Sequence, residues 1–490
     1  MVGARTRPAR TALLVVAALA TGCATGGGAE RAGWKPPASG SPEPPKLVVL
    51  VTVAGMTPAD VTPGPSATMP HVAALAASGV VADHVETVLP ATPLPVHAAL
   101  ATGELPAKNE VTGEYAIGDH GLAVPAPADY GSPAGPTLWS VLGARGERVA
   151  ALGWPGTDPE AAQLFANFPA PVPWAGDTWP RQLASRTSPA LLASAQRLGA
   201  DALPVAFDGP ARDAAIVGLA CELIRAPVRP RLLLVRLSGS LPPLLAEGPQ
   251  SPAARAALTA IDGEIGRLVT CVSDAGLAAQ TAFVVAGDAP VGSLHTVIEP
   301  NVALADAGLL VPNPKGGLSL VRWSAFARTN GGSALVYART EDDALLARRA
   351  LEDAAAATHA FHVLSADELY RHGADPEAWF GLEAAPGYGF GPASSGPLLH
   401  FAAEKGAAGY LAPPGGLGAG FVAAGAGVRS GVRIPTMRQI DVAPTVAALL
   451  GVTLGETEGR AIVGALAFGV VPPLLLEKQG EGAGGTRDAQ

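Results

Sequence analysis

At 490 residues the chain exceeds a minimal domain and is long enough for a large α/β core with an insertion. Hydrophobic residues make up 48%, enough for a substantial interior, while 60 glycines and 47 prolines imply many turns and loops. The formal charge of −9 is spread along the chain without a basic stripe, which argues against nucleic acid as a partner.

The first residues carry an export pattern: Arg5, Arg7 and Arg10, then the apolar run Thr11–Ala20. That run is too short to span a bilayer as a stable anchor. It ends in Leu19-Ala20-Thr21-Gly22-Cys23, which resembles a bacterial lipobox and implies cleavage before Cys23 and lipidation of its sulfur. An ordinary signal peptide with an incidental cysteine is the alternative. Residues 1–22 are thus expected to be a signal peptide and 23–45, rich in Gly, Pro and Ser, a flexible tether. Cys221 and Cys271 remain, both in apolar, helical settings. Export permits a disulfide between them, and two buried thiols fit as well. Neither a CxxC nor a Cys/His zinc spacing occurs.

Leu47 to Met56 is continuously aliphatic without polar alternation, the pattern of a strand buried on both faces in a parallel sheet. A helix follows over Met69–Ser78, closed by Gly79, and leads into an extended piece. Leu89–Gly103 reads as a loop feeding a helix that begins near Pro95. Pro136–Gly146 is another helix, and Val149–Leu152 a strand. Leu232–Leu237 is a second core strand, Ser251–Ser273 a long amphipathic helix, and Ala282–Ala286 a third strand. Short strands at Ser333–Tyr337 and His362–Leu364 flank a helix at Glu341–Ala355. Gly420–Ala424 returns to the core, and Asp441 is placed to cap a helix ending at Gly451. This alternation predicts an α/β fold, a doubly wound, mostly parallel central sheet flanked by helices, with a small inserted α/β lobe. The core is expected over 46–300 and 406–475, the lobe over 301–405, and a disordered tail over 476–490.

These segments, in this order, resemble the nucleotide pyrophosphatase/phosphodiesterase branch of the alkaline phosphatase superfamily. The resemblance rests on Leu89–Gly103, Pro136–Gly156, Gly248-Pro249-Gln250-Ser251, Glu299-Pro300-Asn301, Gly387-Tyr388, Gly406–Tyr410 and Asp441–Gly451. It implies two zinc ions at the ends of the central strands and a threonine that attacks phosphorus. Such chemistry needs several Asp and His ligands and a hydroxyl that the metal can deprotonate.

Position by position, most of that machinery is missing. The aspartate that ends the first strand is Ala54, and the nucleophile position is Pro93. The phosphoryl-binding asparagine is Val96, followed by a retained His97. The Asp-x-x-x-His ligands fall on Leu241 and Leu245. The Ser-Asp-His pattern reads Gly287-Asp288-Ala289, and the last histidine is Ala408. Only Asp288 survives among the metal ligands, so zinc is expected to be lost and no cofactor is expected. Asp288 is then a turn carboxylate, His97 a packed histidine, and Thr92, beside the nucleophile position, inert without a base.

Leu241 and Leu245 are expected to fill the emptied site, or else to floor an apolar pocket. His359-x-x-His362 has metal-like spacing, but on a strand the two rings point to opposite faces. Gly418–Ala423 imitates a dinucleotide fingerprint yet leads into a strand. The expected function is therefore a catalytically degenerate envelope lipoprotein, held to a membrane through Cys23, that binds or scaffolds an unknown envelope protein or ligand. The alternative is an active phosphodiesterase or phosphatase with a relocated metal site at Asp288 with His97 or His295. A third reading gives the lobe the task of recognising a partner.

Overall fold

Leu47–Val53 (β1) is buried at every position, and each fully buried Leu or Val contributes about 1.5–3 kcal/mol. A strand apolar on both faces needs helices on both sides, and the rest of the fold supplies them. The computed structural model describes residues 35–467 apart from 63, 65–66, 124–131, 158–163, 169–183, 185–186, 199–208, 316–318 and 413–415. The signal segment 1–22, Cys23 and the tail 476–490 lie outside the described residues.

The central sheet is nine-stranded. Its further strands are β2 (Val80–Glu86), β3 (Val149–Leu152), β4 (Leu164–Phe168), β5 (Leu232–Leu237), β6 (Thr281–Gly287), β7 (Ala419–Gly425), β8 (Val432–Ile434) and β9 (Met437–Arg438). They run in the order β8–β2–β7–β6–β1–β5–β3–β4, with β9 also beside β2. β1 pairs in parallel with β5 and β6, as β5 does with β3 and β3 with β4; only β7 runs antiparallel to its neighbours β6 and β2. The mostly parallel, doubly wound α/β architecture is therefore observed.

Register is what builds the site. Val53 stands opposite Leu237 on one side and Gly287 on the other, so β1, β5 and β6 end at one level. The residues that follow them, Ala54, Ser238 and Asp288, emerge at the same carboxyl edge of the sheet.

Helices α1 (Pro70–Ser78), α2 (Pro93–Thr102), α3 (Pro210–Arg225), α4 (Leu241–Glu247), α5 (Pro252–Asp274) and α6 (Val442–Leu450) surround the sheet. Helix α2 begins at Pro93, two residues before the expected start, because Pro93 and Pro95 both fit a first turn whose N–H groups have no intrahelical partner. Helix α4 was not expected, since Leu-Pro-Pro-Leu-Leu has no amphipathic period; its prolines sit in the first turn, where they are tolerated. Asp441 precedes α6, but its carboxylate does not cap that helix. It accepts instead from the N–H groups of Arg438 (2.9 Å) and Arg460 (2.8 Å).

The lobe is smaller than 301–405. Strands Ala325–Thr329, Ser333–Ala338, Phe380–Ala384 and Phe361–Leu364 form an antiparallel sheet covered by helix Glu341–Thr358, around a core that includes Phe326 and Phe380. Residues beyond it return to the site: Gly387–Phe390, Leu399–Phe401 and Gly406–Ala407 all pair with Gly292–Ile298. His359 closes the lobe helix in the left-handed region (φ 53°), and His362 pairs across the sheet with Glu383 (2.9 Å). The two histidines thus have separate roles and do not form a pair.

The tether is also shorter than 23–45. Ser39 Oγ accepts from Gly425 N (2.9 Å), Gly40 N donates to Val428 O (2.6 Å), and Lys46 N donates to Gln280 O. These bonds fasten the segment from Ser39 onward to the sheet end. Cys221 and Cys271, left open by the sequence, form a disulfide with a Cα–Cα distance of 5.5 Å that joins α3 to α5.

Candidate functional site

Pro93, Leu241, Leu245, Asp288, Ala289 and Ala408 line one cavity of about 630 Å³ at the carboxyl edge of the sheet. They come from distant parts of the chain, brought together by the parallel register and by two loops held rigidly behind them. Buried Asp213 on α3 accepts from Ser238 N (3.0 Å) and Gly239 N (2.9 Å), fixing the turn between β5 and α4. Ser240 Oγ then donates to the carbonyl of Ala54 (2.6 Å), tying that turn to the end of β1. On the other side Gln439 Nε2 donates to the carbonyls of Gly287 (3.2 Å) and Asp288 (2.7 Å).

Ala54 is 1% exposed and lies behind the cavity. The glycine after it, Gly55, has φ +71°, and a Cβ there would stand 2.4 Å from Leu244 Cδ1. Leu244, packed with Ala254 and Val291, therefore fills the space beside the strand end. The preferred sequence reading had Leu241 and Leu245 fill the site; they do not. They stand half-buried on its wall, because the α4 turn places Leu244 inward and its neighbours toward the opening.

Asp288 is 2% exposed, and its Oδ1 accepts from Gly55 N (3.2 Å) and Ala289 N (2.5 Å). It is a turn carboxylate at the strand tip, as expected. Its other oxygen lies 3.8 Å from Nε of Arg236, itself 8% exposed at the side chain. A fixed guanidinium thus stands under the remaining carboxylate. Arg236 was missed from sequence, although a lone arginine in Leu-Leu-Leu-Val-Arg-Leu was the available signal.

Arg236 stands opposite Thr52 in register, and Thr52 Oγ1 lies 2.9 Å from His97 Nε2. The other ring nitrogen, Nδ1, is 2.7 Å from the carbonyl of Pro93. That carbonyl only accepts, so Nδ1 carries the proton and Nε2 accepts from the threonine hydroxyl. His97 is fully buried and meets Trp154 edge-on at 4.7 Å. Burial, and next the charge of Arg236, hold it well below the ordinary imidazole range. It is a neutral packed histidine and, like Val96, faces the interior.

The start of α2 presents little to an anion. Pro93 and Pro95 have no N–H, Leu94 N donates to Glu114 Oε1 (2.8 Å), and Val96 N donates to Thr92 O (3.1 Å). Thr92 Oγ1 is buried with no hydrogen-bond partner among the described residues, so no base is placed to take its proton.

The opposite wall comes from Gly292–Ile298 and its partners, with Leu294, Val297 and Phe390 facing the cavity. Its polar rim holds Glu299 and His400. Glu299 accepts from His400 Nε2 (3.0 Å) and Ala393 N (2.7 Å). Burial pushes Glu299 up, while the bond to Glu299 raises His400, whose Nδ1 also faces an acceptor, the carbonyl of Phe401 (3.0 Å).

Two zinc ions do not fit this donor set. At the corresponding positions stand one carboxylate and hydrocarbon side chains, and the carboxylate is engaged by two amides and an arginine. Among the described residues no group of three or more His, Cys, Asp or Glu side chains is placed to hold a metal. Of the two histidines considered for a relocated site, His97 is engaged by Thr52 and the carbonyl of Pro93, and exposed His295 meets Tyr388 edge-on at 4.9 Å.

The sequence model of the family described as type I phosphodiesterase / nucleotide pyrophosphatase matches residues 48–382. No curated protein matches the sequence. Among solved structures, the chain is similar to an inactive form of murine ectonucleotide pyrophosphatase / phosphodiesterase 5 in complex with AMP. That match has a TM-score of 0.62 and 16% identity, and covers 87% of this chain and 100% of that one. The human counterpart matches with a TM-score of 0.61 and 16% identity, over 84% of this chain and 96% of that one. Identity at this level carries the fold alone.

Proposed function

From the premise that this chain belongs to the type I phosphodiesterase / nucleotide pyrophosphatase family of the alkaline phosphatase superfamily, we propose that it is a non-catalytic member: an envelope lipoprotein, anchored at Cys23, that binds or scaffolds. The observation that carries this is the cavity itself. Of the positions that would hold metal and nucleophile, all but buried Ala54 line it, and apart from Asp288 they present Pro, Leu and Ala. Hydrocarbon offers no electron pair to a dication, and proline cannot attack phosphorus. Arg236 adds to the argument. A permanently charged guanidinium 3.8 Å from Asp288 supplies cationic charge where relatives use metal, without Lewis acidity or an exchangeable ligand.

Export is supported by the Cys221–Cys271 disulfide, which persists in oxidising compartments. Among the described residues no helix is long and apolar enough to cross a membrane; the proposed anchor is the lipobox-like Leu19–Cys23.

The test is hydrolysis of nitrophenyl phosphodiesters by the purified protein with added zinc, together with elemental analysis. No turnover above buffer and well under one zinc per chain are expected. Turnover that a chelator abolishes would return the chain to the enzymes.

A further inference from the structure

The cavity is open, not collapsed, and its chemistry says what it can hold. Its volume of about 630 Å³ lies within the range of small-molecule sites, about 300–1,000 Å³. Leu241, Leu245, Leu294, Val297 and Phe390 make its walls apolar. The charged groups on its lining are Asp288, Glu299, Glu404 and His400, with no lysine or arginine among them. Arg236 lies 3.8 Å from Asp288, and His400 pairs with Glu299, while Glu404 adds an exposed carboxylate to the lining.

Groups that would stabilise an oxyanion are taken. The first turn of α2 has two prolines, and its Leu94 amide is held by Glu114. The amides of Gly55 and Ala289 are held by Asp288. A phosphate placed here would lose its hydration and meet acceptors, not donors.

We propose that this cavity is a binding site for a predominantly apolar small molecule that is neutral or cationic, and that it rejects phosphoesters. The apolar body lies between the α4 leucines and Phe390, and a donor group reaches the acceptor oxygens of Glu299. This rests on the non-catalytic reading above and names the ligand class of the same site.

The probes are a fluorescent pair with one apolar skeleton and different charge: neutral N-phenylnaphthylamine and anionic anilinonaphthalene sulfonate. The full chain carrying Cys23→Ser is titrated without detergent. The neutral probe should saturate at one per chain and bind at least about tenfold more tightly than the sulfonate. Ala408→Trp, which fills the cavity from one side, should weaken it by about tenfold or more. Val297→Trp does the same from the opposite wall and serves if the first variant melts early. Leu346→Ser, at an exposed leucine (58%) on the lobe helix, should change nothing, which separates the cavity from general surface adsorption.

Equal binding of the two probes, or binding unchanged in both tryptophan variants, overturns the proposal. Zinc-dependent hydrolysis of a nitrophenyl phosphodiester by the same sample overturns it together with the reading it rests on. Silence in both assays removes the ligand proposal alone.

Discussion

His97 and Arg236 are two buried titratable groups beneath the strand ends whose partners can be tested one residue at a time. His97 is neutral in the folded state, whereas the unfolded chain protonates it near its ordinary value of 6.5. Its folded pKa is depressed, so the stability it contributes is present above that value and lost as pH falls below it. The loss amounts to about 1.4 kcal/mol per pH unit until the folded pKa is reached. His71 and His400 are shifted upward, with the opposite sign, but they cancel when parent and variant are compared. Denaturation of the parent and His97→Gln between pH 8 and pH 5 should therefore show the parent's advantage shrinking as pH falls below about 6.5, by at most about 1.4 kcal/mol per pH unit. An advantage independent of pH would mean that His97 titrates alike folded and unfolded. The Arg236–Asp288 pair makes a second prediction. Arg236→Met leaves a buried carboxylate without its cation and should cost about 3–5 kcal/mol in urea denaturation. Adding Asp288→Asn should recover part of that loss, and strictly additive effects would show that the two side chains do not interact.

At the level of elements, the disulfide between α3 and α5 spans a sequence separation of 50, for which loop closure predicts about 4 kcal/mol of stabilisation. Cys221→Ser with Cys271→Ser should lower denaturant stability by about 2–4 kcal/mol, and reductant should do the same to the parent alone. A parent insensitive to reductant would leave the bridge without that role. The sequence could not decide this pairing, because both cysteines sit in apolar helical contexts that suit free thiols equally. What the sequence did carry follows from periodicity. β1, β5 and β6 read as strands because each carries a continuous apolar run, and α5 as a helix because Leu258, Ile261, Ile265 and Leu268 share one face. Helix α4 was invisible, since Leu241–Leu245 has no period, and so was the small sheet around Gly292–Ile298, whose partners lie far along the chain. The candidate positions were legible one by one through their flanking residues. Arg236, Glu114 and the Glu299–His400 pair were not, because their roles arise from cross-strand register and loop return.

For the whole molecule, the hydrogen-bonded body begins earlier than composition suggests, and on the proposed anchoring this would limit how far it could stray from a membrane. The segment from Ser39 onward is hydrogen-bonded to the sheet end. A lipid at Cys23 would then be joined to the body by little more than residues 24–38, which reach at most about 50 Å when fully extended. On the proposed anchoring, the attachment at Cys23 would carry the association; among the described residues no helix is long and apolar enough to span a bilayer. A single myristoyl chain holds a protein only marginally, so on the proposed anchoring the lipid at Cys23 would have to supply more than one chain. Cys23→Ser should move the protein from the detergent-rich to the aqueous phase in Triton partitioning. Its unfolding midpoint should correspond to a change of less than about 0.5 kcal/mol, as for a substitution outside the packed body. Retention of the substituted chain in the membrane fraction would mean that an uncleaved leader or a protein partner holds it there, and the anchor would have to be sought in that segment or partner.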